Sequence, residues 1–182
     1  MRKKDAKRAD IIAALAKHVL ANGLADTGLR RFAGVAGTSD RMLLYYFHNK
    51  DDLILAVLTH IAESLATTLD AAFAGGPLKP APALRLLWRL IKSAEFADHV
   101  RLWLDLSSRA SRGDPFYAAI VARMSAGWIA WMAALLDAPE HDRETLAALI
   151  IAAADGQLVL FPNAPARGDA AMDHLARVLD RP

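Results

Sequence analysis

Leu53, Val57, Ile61, Leu65, Leu69 and Phe73 recur at every fourth position. That spacing follows the helical repeat, whereas a strand would bring Thr59, Glu63 and Thr67 onto the same face as these six. Nowhere in the 182 residues do apolar and polar positions alternate at strand spacing. Alanine and leucine dominate a composition that is 54% hydrophobic, and both favour helix. The chain is therefore expected to be all-α, with about nine helices.

Glycine, proline and capping residues divide it. Ile11, Ile12, Leu15, Val19 and Leu20 mark a first helix over 5–21, stopped at Asn22-Gly23. A short second helix starts near Thr27 as N-cap and ends before Gly37, and a third spans 40–47 behind Ser39. The long fourth follows Asn49-Lys50, with Asp51 and Asp52 in its first turn, where the helix dipole favours acids. Gly75-Gly76-Pro77 is the clearest linker, and later helices are expected at 83–94, 96–112, 115–136, 143–160 and 167–179.

Several chemistries lack support. Without cysteine there is no disulfide and no thiolate metal site, which fits a reducing cytoplasm. His18, His48, His60, His99, His141 and His174 form no i, i+4 pair, so no metal site is assigned. Neither a glycine-rich phosphate loop nor a G-x-S-x-G elbow occurs, so no cofactor and no catalytic residue is assigned, and an enzyme is the least favoured reading. Arg2, Lys3 and Lys4 are not followed by the apolar core of a signal peptide. The apolar stretch 145–162 is broken by Asp155, Gly156 and Gln157 and falls short of the ~20 residues that span a bilayer. It is expected to be a helix buried on all sides, in a cytoplasmic chain with no membrane partner.

Charge is uneven although the net is only +2. Residues 1–55 hold ten lysines and arginines against six acids, and the remainder twelve against fourteen. A basic front on a mildly acidic body suggests a polyanion partner. In that front, residues 27–47 read as two short helices joined at a glycine, the outline of a helix-turn-helix. Ala33, Ala36 and Gly37 are small where the helices would cross, and Leu29, Phe32, Leu43 and Phe47 would anchor the inner face. Candidate DNA-binding residues are Thr27, Arg30, Thr38, Ser39, Asp40, Arg41, Met42, Tyr45, Tyr46 and Lys50. Arg2, Lys3, Lys4, Lys7 and Arg8 form a basic arm expected to touch phosphates.

Gly23, with Thr27, Ala33, Ala36-Gly37, Ser39, Leu43, Tyr45, Phe47, Lys50 and Leu53 of the run TGLRRFAGVAGTSDRMLLYYFHNKDDL that follows it, resembles the DNA-binding domain of the tetracycline-repressor (TetR) family over about residues 9–56. The chain departs from that pattern at Phe32, Thr38, Arg41, Leu44 and Tyr46, where the family carries Ile, Val, Gly, Tyr and His. The resemblance implies a helix-turn-helix domain over 1–50 and a ligand-sensing and dimerising domain over 51–182, joined by a long helix at 51–74. It also implies a homodimer on a double-stranded operator, with a small-molecule ligand releasing a repressor. A helical protein-binding module without DNA recognition is the alternative.

Trp88, Trp103, Trp128 and Trp131 all lie behind the linker. With His60, His99 and Phe116 they are the candidate ligand-binding residues, because small-molecule sites are apolar, aromatic and sparsely polar. Arg89, Asp105 and Arg109 are further polar groups that could orient a ligand. The helix over 146–160 is apolar on every face and needs a second covering surface. Leu146, Ile150, Ile151, Ala154 and Leu158, with Leu175, Val178 and Leu179 of the last helix, are the candidate dimer interface.

Overall fold

The computed structural model describes residues 3–25 and 27–180. Those residues form nine helices and no sheet: α1 (Lys3–Asn22), α2 (Leu29–Val35), α3 (Asp40–Tyr46), α4 (Lys50–Ala72), α5 (Pro80–Ile91), α6 (Ala97–Ser111), α7 (Pro115–Leu135), α8 (Glu140–Leu160) and α9 (Pro165–Leu179). The chain divides into two compact units. One comprises the residues up to Ala72 with Asp98–Val121, the other Phe73–Ala97 with Ala122–Pro182.

In the first unit α1 packs against α4 and α2 against α3. Ile11, Leu15, Val19, Phe32, Leu43, Phe47, Leu53 and Val57 are buried, so the inward stripes are those set by the helical period. α1 ends as expected: Gly23 takes a left-handed φ of 72°, and its N–H donates to the Val19 carbonyl at 2.8 Å. α2 starts later than expected. Its N-cap is Gly28, with no side-chain cap, while Thr27 is only 6% exposed. Thr27 is thus a core residue and neither a cap nor a surface group.

In the second unit α9 lies along α5. The Trp88 indole N–H donates to Asp169 Oδ1 at 2.7 Å, and Lys92 Nζ bonds the same oxygen. These two donors hold the Asp169 carboxyl below its ordinary pKa. A Cβ on Gly168 would stand 3.1 Å from the Trp88 ring, so glycine permits the close approach of the two helices. After the linker, Leu78 N–H donates to the Leu135 carbonyl and Leu78 C=O accepts from Asp137, both at 2.8 Å.

Three later helices begin ahead of expectation. α5 opens on Pro80 and α9 on Pro165, since the missing proline N–H costs nothing in a first turn. α8 opens at Glu140, where Glu140 and Asp142 suit the helix dipole. α8 is also not buried on all sides. Ala147, Ile150 and Ala154 face the core, whereas Leu149 is 44%, Val159 62% and Leu160 69% exposed. Ile150 and Ala154 are therefore covered by the chain itself and not free to line an interface with another molecule, whereas Leu146, Ile151 and Leu158 are half-buried. α4 and α7 are long and apolar enough by composition to cross a membrane, each with mean hydropathy 1.4. α4, however, turns Leu53, Ile54, Val57, Leu58, Ile61 and Leu69 inward.

Candidate nucleic-acid interface

The turn between α2 and α3 sets the site. Past the C-cap Ala36, Gly37 adopts φ 59°, a left-handed conformation that a Cβ would penalise. Gly37 N–H then reaches the Gly34 carbonyl at 3.3 Å, and Thr38 N–H the Ala33 carbonyl at 2.9 Å. These two bonds are a Schellman closure, which satisfies the last carbonyls of α2 and turns the chain sharply. Ser39 begins the next helix, its Oγ accepting from Met42 N–H at 3.3 Å.

On α3, Leu43 and Phe47 point into the core and Asp40, Arg41, Met42, Leu44 and Tyr45 are exposed. Tyr45 is 59% exposed and meets Tyr46 edge-on at 5.2 Å between centroids. Two cations of α1 flank it. Lys4 Nζ sits 4.4 Å over the Tyr45 ring, and the Arg8 guanidinium 4.7 Å over Phe47. The basic arm is thus partly helical and seated on α3, with Lys4 and Arg8 one turn apart. Arg2 and the Lys3 side chain lie outside the described residues.

Beyond α3, the next turn is pinned by Asp52. Its Oδ2 accepts from His48 N–H at 3.0 Å, while Asn49 Oδ1 accepts from Asp52 N–H at 2.8 Å. The His48 amide bond is the main reason the Asp52 carboxyl is held below its ordinary pKa, with His48 and Arg8 charge adding to it. This fixes the start of α4 and with it Lys50, which is exposed. On the α2 side, Arg30 and Arg31 line a groove of about 440 Å³ with Gly28, Gly34 and Val35. Nine of the ten candidates therefore lie at or near the surface of one module; Thr27 does not. A cluster of exposed cations around a helix with outward side chains can meet a phosphate backbone and present groups to base edges.

The candidate ligand residues are divided between the two units. In the second unit Trp128 and Trp131 meet edge-on at 6.1 Å, and Trp131 meets Phe73 at 5.1 Å. Trp88 is taken up by α9, as described above. In the first unit His60 lines a groove of about 410 Å³ between α1 and α4, with Arg8, Asp52 and Glu63. Also there, His99 and Trp103 are half-buried on α6, and Phe116 packs on Tyr117 at 5.1 Å. Asp105 and Arg109, singled out as polar groups that could orient a ligand, bond the backbone of Leu24 instead.

No family model matches the sequence, and no curated protein does. Solved structures do match. A TetR-family transcriptional regulator from Cytophaga hutchinsonii superposes with TM-score 0.78 at 16% identity, over 98% of this chain and 96% of that one. A transcriptional regulator from Rhodococcus sp. Rha1 gives 0.73 at 23% identity, over 94% and 95%. The multidrug binding protein EbrR, solved with proflavin, gives 0.69 at 25% identity, over 94% and 98%. Over more than nine tenths of its length, the chain has the all-α fold of the TetR-family transcriptional regulators.

Proposed function

We propose that the chain is a DNA-binding transcriptional regulator rather than an enzyme, and that it acts in the cytoplasm as a homodimeric repressor released from its operator by a small molecule. The observation that carries this reading is the Schellman-closed turn at Gly37, which presents Arg41 and Tyr45 outward beside Lys4 and Arg8. Residues 1–50 would read the DNA, and the rest would sense and dimerise. The dimer surface would be the exposed apolar side of α8 and α9, centred on Leu149, Val159, Leu160 and Val178. Paired helix-turn-helix modules would enter successive major grooves about 34–36 Å apart. A ligand binding in the body would tilt α4 and change that separation, coupling the two sites. The aromatic group Phe73, Trp128 and Trp131 supports a flat aromatic ligand, as does the likeness to EbrR.

The test is selection of duplexes from a randomised pool by the purified chain, followed by gel retardation. Enrichment of a two-fold symmetric sequence is expected. An unenriched pool overturns the regulator reading in favour of a protein-binding module. Proflavin serves as the ligand probe, with quenching of tryptophan fluorescence, in the absence of DNA, as the readout.

A further inference from the structure

Leu24 lies in the turn between α1 and α2, outside both helices, and is 1% exposed. A buried peptide there needs partners for its N–H and its C=O. Both come from α6. Leu24 N–H donates to Asp105 Oδ2 at 2.9 Å, and Arg109 Nη2 donates to Leu24 C=O at 2.9 Å. Arg109 Nε closes the set by donating to Asp105 Oδ1 at 3.0 Å.

The pair is itself held. The Tyr117 ring lies 5.2 Å from the Arg109 guanidinium and covers its face. Tyr117 is placed by Asp114, whose Oδ1 accepts from the Phe116 and Tyr117 N–H groups at the start of α7. Burial raises the Tyr117 pKa, so the phenol stays neutral beside the cation. All these residues belong to the first compact unit.

We infer that Asp105 and Arg109 are positioning residues for DNA recognition, a latch on α6 that fixes the α1–α2 joint of the helix-turn-helix. The inference rests on the regulator reading above. α1 packs on α4, and α2 on α3. α1 also packs on α2, and the turn that holds Leu24 is the backbone connection between the pairs. Lys4 and Arg8 stand on one side of the joint and Tyr45 on the other, yet Lys4 and Tyr45 form one surface, with Arg8 seated over the buried Phe47. Fixing the joint presets that surface for its phosphates, and a preset surface binds more tightly because less order is lost on binding. Asp105 and Arg109 touch no DNA in this scheme; they act through the Leu24 peptide.

The test uses the full chain and the duplex it selects from a random pool. Asp105→Ala and Arg109→Ala should each weaken binding about tenfold, the effect of losing a hydrogen bond to a charged group. Their salt slope should fall by about one, because one phosphate contact is no longer held in register. Asp105→Asn keeps an acceptor for Leu24 N–H and should recover most of the affinity. Hydrogen exchange at the Leu24 amide should rise in Asp105→Ala and stay low in Asp105→Asn. Arg85→Ala breaks an ion pair with Asp180 in the other unit and should leave affinity and slope unchanged. Loss of affinity with an unchanged salt slope would mean fewer folded molecules and would overturn the latch. So would unchanged affinity in both alanine variants while Leu24 exchange rises. If the wild type enriches no duplex, the regulator reading falls and the latch's role in recognition falls with it; Leu24 exchange alone then reports whether the bonds exist in solution.

Discussion

The outward faces of α3 and α8 both expose large apolar side chains, in different company. On α3, Leu44 at 47% and Tyr45 at 59% exposure alternate with Asp40 and Arg41, and Lys4 stands over the tyrosine ring. On α8, Leu149, Val159 and Leu160 have Ala152 among them, and the nearest charge is the half-buried Asp155, one turn before Val159. Mixed apolar, cationic and hydroxyl groups suit a hydrated, charged partner such as DNA, whereas a mainly apolar face without cations suits another apolar surface. Exposure alone does not distinguish the two surfaces; the neighbours of each exposed residue do.

The sharpest way to break this comparison is to place the same charge on both sides of α8. Ile150→Glu buries a carboxylate in the core and should cost several kcal/mol, unfolding much of the chain. Leu160→Glu should leave the melting temperature nearly unchanged and turn a dimer into a monomer of about 20 kDa in sedimentation. A wild type that already sediments as a monomer removes the dimer and the two-groove geometry together. On α3 a smaller effect is expected. Arg41→Ala should relax preference at one base pair by ~1–3 kcal/mol if Arg41 reads a guanine. Unaltered preference in a repeat selection would take Arg41 out of base reading. Smaller still, Tyr45→Phe should weaken selected and random duplexes alike, and binding isotherms that superpose on the wild type would leave the phenol without a phosphate.

The mildest prediction concerns the turn that orients Lys50. The folded pKa of Asp52 is depressed, so its contribution is present above the unfolded value of about 4 and is lost as pH falls through the folded value. The melting temperature should therefore fall less steeply from about pH 5 to about pH 3 in Asp52→Asn than in the wild type. Because Asp52 is partly exposed, the difference should be small.

What the sequence made legible was local. The stops at Gly23 and Gly37, the Ser39 cap and most of the inward stripes of α1 to α4 depend on residues within a turn or two of one another, and the structure has them, with Leu20, Leu29 and Leu65 only half-buried. Thr27 was misread because a threonine before a helix serves equally as cap or core, and only the path of the backbone decides; Gly28 took the cap. α8 was half-legible. An apolar helix announces that it needs covering on every side, but not which stripe its own chain covers, and Ile150 and Ala154 proved internal. Least legible were Asp105 and Arg109, whose partner lies more than eighty residues away, at separations of 81 and 85. Trp88 shows the same limit: an indole beside a linker looks available until Asp169 is found on its N–H.

The pairing of Leu78 with the segment just after α7 also has a kinetic side. Its two bonds close a loop running from residue 78 to residue 137, with α5, α6 and α7 inside it. Each helix within that loop forms from neighbours in microseconds or less, whereas the closure must wait until distant segments meet. In refolding, helical signal should therefore return before the Leu78 amide is protected, and the loss of that protection should be an early event when the second unit opens.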